Sequence, residues 1–266
     1  MDFETLLVEK DGEIMKVALN RPRKLNAMND VMLNELTELC KELRSDTSVR
    51  FMIITGAGEA FSAGADIGNA LEGAERIAAP PHEIARLQQL QGQELMQRLE
   101  KLEQITVAAV NGACIGAGLA VALACDFRIA AENAVFCVPE TRVGIFFTWG
   151  CTARLVRLIG PTRAKEMIMT CDELYPREAM LWGLVSRVAP SQDLPGTTHE
   201  FVDKIAKQGP LSIRMTKKIV DAYTLQGLGD TWSCEPELVE RVFLSGEPME
   251  GFSAFLEKRE PKFKDS

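Results

Sequence analysis

The stretch that decides how this chain is read is Asn111 to Asp126, NGACIGAGLAVALACD. Gly112, Gly116 and Gly118 fall within seven residues, and an apolar run follows them. VAAV (107–110), just before, reads as a buried strand, so the order is strand, glycine turn, helix. Three readings fit that order. A dinucleotide fingerprint needs GxGxx(G/A) with an acid about 20 residues further on. Gly116-Ala117-Gly118-Leu119-Ala120-Val121 has Val in the last slot and no evident acid, and the second GxG, Gly56 and Gly58, has Phe61 there. Tight packing of a helix on a strand is the second reading. The third uses the helix N-terminus, whose first N–H groups lack intrahelical partners and sit at the positive end of the dipole. With small side chains around them, such groups can receive an oxygen that becomes negative.

GAGEAFSAGAD (56–66) makes the same offer, because Ser62-Ala63-Gly64-Ala65-Asp66 is small enough to present a backbone N–H. Two such donors on one carbonyl oxygen form an oxyanion hole, where loss of one donor costs ~10²–10³ in rate. Each loop by itself also reads as purely structural.

Histidine is scarce. The two histidines, His82 and His199, belong to no HExxH or other ligand pattern, so no metal site is expected. The absence of a GxSxG elbow removes the usual α/β-hydrolase reading. Glu140 stands out. It follows the strand AVFCV (134–138) and Pro139, and leads to the apolar Ile145-Phe146-Phe147. Desolvation there raises a carboxylate pKa toward the range useful for proton transfer. A surface glutamate at a strand exit is the plain alternative.

Composition bounds the rest. A length of 266 residues with 46% hydrophobic and 26% charged suits a folded chain with one large body. A net charge of −8 argues against a nucleic-acid surface, and the short basic spots (Arg21, Arg23, Lys24; Lys217, Lys218) suit a small anion at most. No apolar run reaches the roughly 18 residues of a membrane span, and the acidic start shows neither a secretory nor a transit signal. Seven cysteines without a CxxC pair, mostly in apolar contexts, read as small buried hydrophobes in a reducing, cytoplasmic setting.

Along the chain, 13–20 and 51–55 read as strands, and Asn29 or Asp30 caps a helix reaching about Arg44. Residues 70–92 read as irregular and 93–102 as helix. Strands follow at 127–131 and 134–138, then a helix at 161–170, then helix, glycine stop and strand over 176–189. After Pro195 the grammar changes to helices at 197–208, 210–225, 231–244 and 248–258. The division is therefore a strand–helix body over 1–195 and a helical tail over 196–266.

Taken together, LNRPRKLNAMN (19–29), FSAGAD (61–66), VAAVNGACIGAGLAVALACDFRIAAENAVF (107–136), PETRVGI (139–145) and GFSAFLEKREPKF (251–263) resemble the crotonase (enoyl-CoA hydratase/isomerase) superfamily over nearly the whole chain. The resemblance implies an α/β fold, a spiral of ββα turns with a C-terminal helical trimerisation region, assembled as a homotrimer or homohexamer. It implies an acyl-CoA thioester substrate, with coenzyme A entering as part of it and no separate cofactor. By motif position the enolate oxygen would meet the N–H groups of Ala65 and Ala117. The second slot is usually Gly, and Ala keeps the N–H. Coenzyme A would be held by Lys24, Leu25 and Ala27 on one side and by Ala63, Asp66 and Ile67 on the other, with Phe255 and Lys258 reaching it from a neighbouring subunit.

The departures matter as much. Typical hydratases of this family carry two glutamates. The slot of the first, on the helix after the glycines, holds Ala120; that of the second holds Glu140. One carboxylate suits shuttling a proton between two carbons, so double-bond isomerisation is the favoured expectation. Hydration stays open, since relatives acting on aromatic acyl groups also keep only the second glutamate. So do hydrolase or decarboxylase chemistry and a non-catalytic acyl-CoA-binding role. The usual proline–glycine run after Glu140 is replaced by Phe146-Phe147-Thr148-Trp149-Gly150, which reads either as a bulky acyl pocket or as core packing.

Overall fold

The structure is a computed structural model that describes residues 3–68, 80–224 and 228–263, with side chains of 228–234 left aside. A six-stranded sheet runs in the order β1 (Leu6–Asp11), β2 (Ile14–Leu19), β3 (Phe51–Gly56), β4 (Ile105–Val110), β6 (Phe127–Ala131), β8 (Arg187–Ala189). β1 pairs antiparallel with β2 across the Asp11–Ile14 turn, and every later pair is parallel. A second, parallel pair joins β5 (Ala113–Ile115) to β7 (Val135–Cys137).

Strand alternation divides the apolar residues between two cores. Met52, Ile54, Ala108, Val110 and Ala130 face one side. Phe51, Ile53, Val107, Ala109 and Ile129 face the other. The first core is closed by α1 (Asp30–Leu43), α2 (Pro81–Glu100), α3 (Ala117–Ala124) and α4 (Cys151–Ile159). On α1, Met32, Leu36, Leu39 and Leu43 are buried at helical spacing, and Asn29 caps it by accepting the Met32 N–H at 3.1 Å. α5 (Pro161–Thr170) and α6 (Pro176–Trp182) follow. The second core is covered by α7 (Leu194–Ala206), through Leu194 and Val202. The remaining helices are α8 (Pro210–Thr224), α9 (Leu228–Ser245) and α10 (Glu247–Glu257).

The expectation for 70–92 needs correcting, and α4 and β1 are elements not assigned from the sequence. The stretch 81–92 is helical, because Pro81 starts α2 at a position where proline lacks nothing; residues 69–79 lie outside those described. Helix α4 was absent from the reading of 151–159, although Arg154, Leu155 and Ile159 are buried along one side of it. β1 was also unread, since only Leu6 of it is buried.

Charged side chains tie the helices to the body. Lys217 of α8 donates to Asp126 at 2.8 Å and to the Gln104 carbonyl at 2.9 Å, and Asp126 also accepts the Thr106 N–H at 2.7 Å. Glu100, at the end of α2, pairs with Arg154 at 2.8 Å and Arg157 at 3.1 Å. The six described cysteines are buried and free, and burial pushes the thiols of Cys40 and Cys125 up to about 12. Among the described residues no helix is long and apolar enough to cross a membrane.

Candidate active site

The opening motif ends β4, forms β5, and starts α3. Asn111 sets its entry: the side-chain oxygen accepts the Gly56 N–H at 3.0 Å while the amide donates to the carbonyls of Gly56 and Gly58. This holds 111–118 against 56–66. Further along, Ser62 N–H donates to Ala113 and Ile115 N–H donates back to Ser62, a short parallel bridge. The contact needs glycine. A β-carbon on Gly118 would stand 2.6 Å from the Ser62 β-carbon, and one on Gly64 would stand 3.2 Å from the Ile115 carbonyl.

That close approach brings Gly64, the residue before Ala65, against the start of α3: the same Gly64 β-carbon would lie 3.8 Å from the Ala117 nitrogen. Ala117 is the first residue of α3. Among the described residues, neither the Ala65 N–H nor the Ala117 N–H has a backbone acceptor.

Glu140 enters from β7. Cys137 ends that strand and accepts the Gly116 N–H at 3.0 Å, so the strand exit and the glycine turn are locked together. Pro139 then turns the chain, and Glu140–Val143 forms a 3-10 turn closed by Gly144 in the left-handed region. Glu140 lies against Gly116, where a β-carbon would sit 2.6 Å from Oε1. Its Oε2 is buried and has no hydrogen-bond partner among the described residues. Burial pushes its carboxyl up to about 8, opposed only by its own backbone N–H. No second acid takes part in that shift. Ala120, one turn into α3, is buried among apolar neighbours.

The residues expected to hold coenzyme A lie on neighbouring, hydrogen-bonded turns. Leu25 and Asn26 both take positive φ (49° and 56°), and the Leu25 carbonyl accepts the Ala63 N–H at 2.9 Å. Buried Asn26 ties the turn to the 57–60 loop through the carbonyls of Ala57 and Ala60. The Met28 carbonyl accepts the Asp66 N–H at 2.9 Å. The structure therefore brings Lys24, Leu25, Ala27, Ala63, Asp66 and Ile67 together. The Asp66 carboxylate is paired with Arg21 at 2.9 Å, and Arg21 also donates to the Ala27 carbonyl at 2.6 Å. Sequence reasoning saw Arg21 only as a basic spot and missed this pair. Phe255 is exposed on α10 and Lys258 caps its end with positive φ. That helix packs on the Glu140 turn, with Gly251 so close to Val143 that a β-carbon would collide with its carbonyl.

Of the aromatic run, Phe147 is core, only 2% exposed. Trp149 is half-buried and takes φ of 62°, a left-handed conformation uncommon for a bulky residue. The buried Glu235, missed in the sequence because its partners are far away along the chain, accepts the Gly150 N–H at 2.7 Å and the Gln89 amide at 2.8 Å.

Residues 9–266 match the Enoyl-CoA hydratase/isomerase family. A short-chain-enoyl-CoA hydratase of Clostridium acetobutylicum is 34% identical, over 97% of each chain. The structure of an enoyl-CoA hydratase from Mycobacterium avium subsp. paratuberculosis superposes with a TM-score of 0.88 at 28% identity, covering 99% of this chain and 100% of that one. A monofunctional enoyl-CoA isomerase from M. smegmatis gives 0.69 at 33% identity, covering 84% and 95%. With a mixed α/β body and a helical C-terminal region in place, the chain belongs to the enoyl-CoA hydratase/isomerase family and is an acyl-CoA enzyme of the crotonase fold.

Proposed function

We propose that this enzyme moves the double bond of an enoyl-CoA thioester, with Glu140 as its single acid/base. The Glu140 carboxylate takes a C2 proton from a 3-enoyl-CoA. The electron pair passes into the thioester carbonyl, whose oxygen becomes negative between the N–H groups of Ala65 and Ala117. The same carboxyl returns the proton to C4, leaving the 2-enoyl-CoA and an unchanged enzyme. The observation that carries this is Glu140 itself: buried, with one unpartnered oxygen, a carboxyl raised to about 8, and no acidic neighbour behind the rise. A pKa near the working pH lets one group both accept and donate. The methyl of Ala120 offers nothing to hold a water.

Lys24, Leu25, Ala27, Ala63, Asp66 and Ile67 would hold the coenzyme A portion, with Asp66 acting by fixing Arg21 and the 24–27 turn. No cofactor beyond that carried by the substrate is needed. Self-association as a trimer or hexamer is supported by the exposed stripe Leu211, Met215, Ile219 and Tyr223, every fourth residue of α8. Phe255 and Lys258 are exposed, as residues serving a neighbour's substrate would be.

Hydration is the second reading, and the name of the Clostridium relative favours it. One experiment separates the two. A 3-enoyl-CoA and a 2-enoyl-CoA are each incubated with enzyme in D₂O and followed by mass. Isomerisation leaves the elemental composition unchanged and places deuterium on C4 as exchange proceeds. Hydration adds the elements of water to the 2-enoyl substrate. Addition without isomerisation would overturn the first reading.

A further inference from the structure

The Glu140 carboxyl has little of its own to hold it. Oε2 has no hydrogen-bond partner among the described residues, and the carboxyl otherwise meets its own backbone N–H. Its place against Gly116 is therefore set by the backbone of the 140–143 turn. Side chains tie that backbone to the end of α5. Apart from Glu140, the hydrogen-bonding side chains of 137–145 are Cys137, Thr141 and Arg142, and among the described residues all three reach Ile168 or Cys171. The Thr141 hydroxyl donates to the Ile168 carbonyl at 2.8 Å. Arg142 donates to the Cys171 carbonyl at 3.2 Å, and the Cys137 thiol donates to the same oxygen at 3.3 Å. Cys171 Sγ lies 3.0 Å from Thr141 Oγ1. With the one hydroxyl proton on Ile168, the thiol is the donor in that contact.

These ties differ in weight. Ile168 lies in the last turn of α5, where carbonyls lack an intrahelical N–H, so its oxygen is free to take the hydroxyl. Thr141 is half-buried and is the residue next to Glu140, whereas Arg142 is exposed. A thiol such as Cys137 is a weak donor. The Thr141 hydroxyl is therefore the firmest side-chain tie beside the acid. On its other side the turn meets α10 by packing: a β-carbon on Gly144 would stand 2.7 Å from the Glu247 backbone. Two helices thus grip the turn, α10 by contact and α5 by hydrogen bonds.

We propose that Thr141 is a positioning residue: its hydroxyl, bound to Ile168 and Cys171, fixes the turn that places the Glu140 carboxylate against Gly116. This rests on the reading of Glu140 as the acid/base. A hydroxyl that only capped the end of α5 would stabilise the fold and leave turnover alone. A positioning hydroxyl changes kcat, and does so only while the Glu140 carboxylate is there to be placed.

The test compares wild type, Thr141→Val, Thr141→Ala, Thr141→Ser, Glu140→Gln and the Thr141→Val/Glu140→Gln double variant. Valine keeps the branched shape without the hydroxyl. Alanine removes the hydroxyl without setting a methyl against the Ile168 carbonyl, so it serves where valine does not fold. Measured are kcat and KM on a 3-enoyl-CoA and a 2-enoyl-CoA, with Tm and the binding of a saturated acyl-CoA as controls. Thr141→Val and Thr141→Ala should lower kcat about tenfold, less than the ~10² of a full ångström of displacement, with KM and saturated acyl-CoA binding within about threefold. Thr141→Ser should return kcat to within about threefold of wild type, since its hydroxyl can meet the same carbonyl. In the Glu140→Gln background, Thr141→Val should cost nothing further, because the hydroxyl acts through the carboxylate. A lower Tm with unchanged kcat, a serine variant no better than valine, or an equal loss with and without the carboxylate overturns the proposal. So does failure of both the valine and alanine variants to fold, which would make the hydroxyl a structural cap. Glu140→Gln at the wild-type rate, or a wild type that turns over neither substrate, overturns the reading at Glu140 and the proposal with it.

Discussion

Gly116 lacks a side chain where Glu140 needs the room: a β-carbon there would stand 2.6 Å from Oε1. The same glycine takes φ of 47° and donates its N–H to the Cys137 carbonyl at 3.0 Å, three residues before Glu140. One residue thus starts the α3 turn, anchors the strand that delivers the acid, and leaves it space. Gly116→Ala must push the carboxylate by most of an ångström or move the turn. Displacement of that size costs about 10²-fold in rate. The expected result is a fall of about that size in kcat on the best enoyl-CoA, with KM changed far less. Unchanged kcat would sever the link between this contact and catalysis.

Removing the acid isolates its role. Glu140→Gln keeps the shape and abolishes proton transfer, so turnover should drop at least ~10²-fold. Binding of a saturated acyl-CoA, followed by titration calorimetry, should remain within a few-fold. Activity near wild type would show that another group moves the proton.

The raised carboxyl also makes two statements about pH. As a base, Glu140 is active when ionised, so kcat/KM should climb with pH and level off above about 8. As a buried acid, it binds its proton more tightly folded than unfolded. Its contribution is therefore fully present below the ordinary value of 4.5 and is lost as pH rises toward about 8. Glu140→Gln escapes that loss. The variant should match wild type near pH 4.5 and gain about 2 kcal/mol or more over it at pH 9, read as several degrees of Tm. A gap that does not widen with pH would contradict the buried, raised carboxyl.

Ala120 tests the choice of reaction. Ala120→Glu restores the second carboxylate of the two-glutamate pattern at a site that is 1% exposed. If water is excluded only for want of that group, hydration of a 2-enoyl-CoA should rise at least about tenfold above the parent, within the contribution of one general base. A folded variant with no gain would mean that the shape of the pocket excludes water.

Stability depends on a different buried acid. Glu100 is the carboxylate partner of Arg154, whose side chain is fully buried. Glu100→Ala removes a buried carboxylate shared by Arg154 and Arg157 and should cost about 3 kcal/mol in chemical denaturation. A cost below about 1 kcal/mol would place that pair among solvated ones.

The sequence alone determined a good deal. The short apolar run FMIIT and the periodicity from Met32 to Leu43 are local signals, set by which faces meet the core, and both elements formed as read. So were the glycine turn and the strand exit before Glu140, because each is written in consecutive residues. The start of α2 was misread because Pro80 and Pro81 look like a break, whereas proline in the first helical turn is compatible with a helix. Tertiary structure decided the rest. Gly116 meets Glu140, Gly64 meets Ala117, Arg21 meets Asp66, and Glu235 meets Gly150 across 85 residues. None of these pairings has a period or a motif. They exist because packing at glycine and charge burial select partners by position in space, and no local propensity encodes that distance.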